Sequence, residues 1–125
     1  MATDKVLLRD TKRAAFEGFE PSKQFFLVEI TESDTLELAV SGSAFVGVLL
    51  DTPKTNEKAT FALLGITKVV CAAEIKEGQL VASNGKGEAQ VAVTGQFPIG
   101  RALEKANGAG SIIAIQLTAG TGVKL

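Results

Sequence analysis

From Phe25 to Thr118 the chain is a train of short apolar runs separated by glycine-containing turns: AFVGVLL, ATFALLG, KVVCA, QLVAS, EAQVAV, FPIGRALE and SIIAIQLT. Runs of this length are too short for helices that bury a stripe, and their turn-rich spacing of about 8–12 residues is the mark of an all-β sandwich or barrel. Little reactive chemistry accompanies them. The sequence contains no histidine, tyrosine or tryptophan and a single cysteine. With all seven aromatic residues phenylalanine, the core has to be built mainly from Val, Ile, Leu and Ala, and 13 glycines supply the turns. A chain of this kind is suited to binding or to structure rather than to turnover.

The 125 residues make one domain, long enough to bury roughly two thirds of the unfolded surface. Charge is unevenly spread: +1 over residues 1–25, −4 over 26–58 and +2 over 59–125. No block is basic enough for a nucleic-acid footprint. The densest basic spot is Lys12-Arg13 with Arg9 nearby, a weak signal that reads as a solvated or locally paired surface. Cys71 has no partner for an intramolecular disulfide, and its apolar setting, KVVCAAEI, predicts a buried, inert thiol. The beginning MATDKVLLRD lacks the apolar stretch of a signal peptide, and no run approaches the roughly 20 apolar residues needed to span a bilayer. A soluble protein made in the cytoplasm, without membrane contact, is the expectation.

Residues 1–24 differ from the rest. They mix charge with isolated apolar residues, show neither alternation nor a helical stripe, and end near Gly18 and Pro21. The reading is an extended or partly helical N-terminal arm, followed by a β-domain over 25–125. Phe16 and Phe19 serve there either as anchors on a neighbour or as a plug for one end of the barrel. Beyond the arm, FFLVEI leads through the acidic turn 31–34 to Leu36, Leu38 and Val40, which alternate with Thr35, Glu37 and Ala39 as in a half-buried strand. A kink at Gly65 is expected to separate ATFALLG from KVVCA, and CAAEIKEG to make one helical turn. QLVAS and EAQVAV form a hairpin around Asn84-Gly85-Lys86-Gly87. Pro98 lacks an N–H donor, so its run lies at a sheet edge or begins after the proline. KANGAG is a turn, and SIIAIQLT a strong last strand. The sum is about nine short strands in a small barrel or sandwich.

Catalytic constellations fail on composition. A Ser or Cys triad needs a base, usually histidine, and zinc needs His or Cys clusters. Glu29, Glu32, Asp34, Glu37 and Asp51 read as an exposed acidic face rather than a glycosidase pair, and they lack the spacing of a calcium loop. Residues 84–87 lack the offsets of a phosphate loop. The Phe16–Phe26 region is the one candidate for stacking on single-stranded nucleic acid, and packing explains it more simply. No catalytic residue, cofactor, metal or nucleic acid is expected.

Four phrases carry a family resemblance: GVLLDTPKTNEKA, LGITKVVCAAEIKEGQLVAS, the turn NGKGEAQ and PIGRALEKANGAGSIIAIQL. Over about 75 residues, from Phe45 to Thr118, the chain resembles the capsid decoration (cement) proteins of tailed bacteriophages; residues 1–44 match less well. The resemblance implies a non-enzymatic virion protein on the outer surface of the capsid, which binds the major capsid protein and stabilises the expanded head. Such proteins are often trimers at local three-fold positions, though some bind as monomers or dimers; a homotrimer is the expectation here. The contact residues proposed on this basis are Arg9, Lys12, Arg13, Phe16, Phe19 and Pro98. The alternative reading is a surface adhesion module recognising carbohydrate, which the absence of Trp and Tyr disfavours.

Overall fold

The computed structural model describes residues 5–14, 23–31, 35–43, 46–54 and 57–118. Among them the chain is all-β, with nine strands and no helix: β1 (Lys5–Ala14), β2 (Leu27–Ile30), β3 (Thr35–Leu38), β4 (Val46–Leu49), β5 (Lys58–Val70), β6 (Leu80–Ser83), β7 (Ala89–Val91), β8 (Gly100–Ala102) and β9 (Ile112–Leu117).

The strand order is β1-β3-β2-β4-β5-β9-β8-β6-β7, and β1 also pairs with β5, which closes the first five strands into a ring. β1 lies within the expected arm and runs antiparallel to β5 from Lys5 opposite Ile66 to Arg13 opposite Lys58. At its end it meets β3 in parallel, Arg13 opposite Thr35 and Ala14 opposite Leu36. The remaining strands form a second curl on the far half of β5. It returns on itself where Cys71 bridges to Ala89 and the Ala72 N–H donates to the Ala89 carbonyl at 2.8 Å.

β5 therefore belongs to both halves, and Gly65 is where it passes from one to the other. Its φ is +121°, a backbone state that a Cβ strains. On one side β1 skips a residue here, from Val6 opposite Gly65 to Leu8 opposite Leu64. On the other, β5 exchanges β4, paired at Phe61 and Ala62, for β9, paired from Gly65 to Val70. The expected kink at Gly65 is present as a bend within one 13-residue strand, not as a break between two. Pairing on both flanks keeps the strand continuous.

Two apolar clusters fill the halves. Val28, Leu36, Leu49, Ala59 and Phe61 make one. Leu27, Val48, Ala62, Val69, Ile75, Val81, Ile99, Ile113 and Ile115 belong to the other. Neighbouring residues on one strand thus face different clusters: Leu27 and Val28 on β2, Val48 and Leu49 on β4, Phe61 and Ala62 on β5. Leu27–Val28, Val48–Leu49 and Phe61–Ala62 are buried on both sides of the wall β2-β4-β5, which is why FFLV and GVLL read as unbroken apolar runs rather than as alternation.

Phe25 connects the halves. Its N–H donates to the Leu49 carbonyl at 2.7 Å and its carbonyl accepts from the Val70 N–H at 3.0 Å. It is the one non-glycine residue with positive φ (+68°) among those described, and these two bonds hold it in a conformation that costs of order 1–3 kcal/mol.

One local expectation changes and one open alternative is resolved. Residues 71–78 carry isolated bridges and bends instead of a helical turn. The bridge of Ile75 to Ala106 buries Ile75 and holds the segment extended. Pro98 precedes β8, which is flanked by β9 and β6, so its run starts after the proline and is no sheet edge.

Candidate interaction surfaces

β1 positions the basic spot. Arg9 stands opposite Ala62, Lys12 opposite Ala59, and Arg13 opposite both Lys58 on β5 and Thr35 on β3. The β1–β5 register sets Lys58, 45 residues away in sequence, opposite Arg13. Nothing in the local sequence could have signalled this, because it depends on the β1–β5 register. Phe16 and Phe19 lie outside the described residues. Pro98 is half-buried at the entrance to β8, remote in sequence and in sheet order from β1.

The acidic face divides into different roles. Glu29 and Glu37 are directly opposed on β2 and β3. The Glu29 carboxylate accepts from the Val40 N–H at 2.9 Å and from the Ser43 hydroxyl at 3.0 Å, so it fastens the turn after β3. Asp51 accepts from the Thr60 N–H through Oδ2 at 3.1 Å, while its Oδ1 is buried without a hydrogen-bond partner. Glu37 is exposed. Glu32 and Asp34 lie outside the described residues.

Reactive groups are correspondingly few. Cys71 is buried, and burial pushes its thiol up to about 11, leaving it protonated and unreactive near neutrality. Among the described residues no three His, Cys, Asp or Glu side chains converge. Phe25 and Phe26 are each half-buried, with Lys68 Nζ 5.6 Å and Lys23 Nζ 4.8 Å from the respective ring centroids. These rings support cations of the same chain rather than offering open stacking faces.

Among the described residues, the exposed large apolar side chains are Ile30 at the end of β2 and two further pairs. Val40 and Val93 flank a latch made by the buried Gln96, whose amide donates to the Ser41 hydroxyl at 3.1 Å and accepts from the Val93 N–H at 3.1 Å. Leu103 and Ile112 sit on the β8–β9 hairpin, where the Leu103 N–H donates to the Ala114 carbonyl. Such positions suit contact with another surface and do no chemistry.

No known protein family matches the chain, and no curated protein matches it by sequence. Among solved structures, the head fiber gp8.5 N base of bacteriophage phi29 aligns with a TM-score of 0.70, covering 94% of this chain and 97% of that one at 17% identity. The two share a fold. At that identity the likeness is one of fold, and little of the sequence is shared.

Proposed function

We propose that this chain is a non-enzymatic structural protein of a phage virion, which binds the outer surface of the capsid as a homo-oligomer and stabilises the expanded head. The observation that carries the reading is the near-complete mutual coverage with a phage head fiber base; the sequence resemblance to capsid decoration proteins points the same way. The chemistry is consistent with it. The thiol is buried, and exposed apolar side chains at Val40, Val93, Leu103 and Ile112 offer contact surface.

A clip of this size burying about 1,200–2,000 Å² across neighbouring capsomers would bind stably, and repetition over a shell multiplies its effect. Arg9, Lys12 and Arg13 on β1, together with Phe16, Phe19 and Pro98, are the proposed contacts with the major capsid protein. The test is co-sedimentation with purified expanded shells of the capsid protein. Saturable binding that raises the shell's melting temperature is expected, and Arg9→Glu/Arg13→Glu is expected to weaken it at least about tenfold through charge reversal. Absence of saturable binding to expanded shells would refute the proposal.

A further inference from the structure

Two Asn-Gly dipeptides occur in the chain, Asn84-Gly85 and Asn107-Gly108. Both lie in turns, and Asn-Gly is the sequence most prone to self-modification because glycine leaves the following backbone nitrogen unobstructed. The fold treats the two differently.

Asn84 is fixed at every polar atom of its side chain. Its Oδ1 accepts from the Lys86 N–H at 2.8 Å and from the Glu88 N–H at 2.9 Å, and its Nδ2 donates to Glu88 Oε1 at 3.0 Å. Its own N–H donates to the Glu88 carbonyl at 2.8 Å. Asn107 is exposed and makes no side-chain hydrogen bond among the described residues. The chain is clamped on either side of it, by the paired bonds between Ala106 and Ile75 and by the Gly110 N–H donating to the Cys71 carbonyl. Residues 107–109 project between those clamps, and the Gly108 N–H donates to no backbone carbonyl.

We infer that Asn107 is a site of spontaneous deamidation and isomerisation in the folded protein, and that Asn84 is protected from the same reaction. The Gly108 nitrogen bonds to Asn107 Cγ and gives up its proton, the Cγ–Nδ2 bond breaks, and ammonia leaves. The product is a five-membered succinimide. Water then opens the ring at Cγ, giving aspartate, or at the backbone carbonyl, giving isoaspartate. No redox change occurs, and water is the sole co-reactant. At Asn84 the same closure would swing Cγ toward Gly85 and break the three side-chain bonds, enough to slow the reaction by about tenfold or more. At Asn107 nothing comparable is lost. The modification adds a negative charge to the turn before β9, and the isoaspartyl form adds a backbone atom between the two clamps.

The test is peptide mapping by mass spectrometry of the full-length protein aged at pH 8 and 37 °C, with and without denaturing urea. In the folded protein, conversion of Asn107 is expected to outpace that of Asn84 at least about tenfold, and in urea the two rates should converge. Equal rates at the two sites in the folded protein, or an Asn107 that reacts only in urea, would overturn the assignment.

Discussion

Glycines that look alike in the sequence have unequal jobs. A Cβ on Gly100 would run into the Gln116 carbonyl on the adjoining β9, whereas a Cβ on Gly85 meets nothing within 4 Å. Gly100→Ala is therefore expected to cost about 1–3 kcal/mol by forcing β8 from β9, and Gly85→Ala under about 0.5 kcal/mol, both read from urea denaturation midpoints. Cys71 makes a second residue-scale prediction. Its folded-state pKa of about 11 lies above its ordinary 9.0, so the folded form holds the proton more tightly than the unfolded one. The resulting stability is complete below pH 9 and declines as pH rises toward 11. Cys71→Ala should flatten that decline, and thiol-specific alkylation of the native protein at pH 8 should be negligible until denaturant is added. Sequence alone suggested the buried thiol from its apolar neighbours, but the different tolerances of Gly85 and Gly100 depend on which strand lies alongside.

At the scale of the element, β2–β3 and β1 carry the informative cases. Glu29 faces Glu37 across the ladder, a like-charge pair that costs about 0.2–1 kcal/mol. The two hydrogen bonds to the Glu29 carboxylate outweigh it, since bonds to charged groups contribute about 1.5–3 kcal/mol each when shielded and less when partly exposed. Glu29→Ala should thus destabilise, by about 1 kcal/mol, despite relieving repulsion, and Glu37→Ala should not. A gain in melting temperature for Glu29→Ala would reverse that ranking. β1 was legible only as part of an extended or partly helical arm, not as a member of the sheet: KVLLRDTKRA has no alternation to announce a ladder, and its eight paired positions along β5 come from a partner more than 40 residues on. Removing residues 2–14 should leave β5 with an open edge and abolish the cooperative thermal transition followed by circular dichroism. The basic spot was visible as three residues; Lys58 stands opposite Arg13 only through the register.

For the molecule as a whole, the shared wall of β2, β4 and β5 predicts that both clusters melt together. Phe61→Ala in one cluster should cost about 3–5 kcal/mol. Val81→Asp in the other places an unpaired charge at a fully buried position, which is expected to abolish folding. A milder Val81→Ala should lower the same single transition that Phe61→Ala lowers; two separate transitions would mean that the wall does not couple the halves. The succession of apolar runs and glycine turns was enough to determine an all-β chain of short strands, because strand length, turn chemistry and the lack of any helical stripe are local properties. Closure was decided only in three dimensions. That β1 seals a ring with β5, that Gly65 hands β5 from β4 to β9, and that Phe25 is held at positive φ between Leu49 and Val70 all depend on contacts far apart along the chain. Hydrophobic patterning specifies which residues leave water; which of them meet is fixed by how the sheets curl.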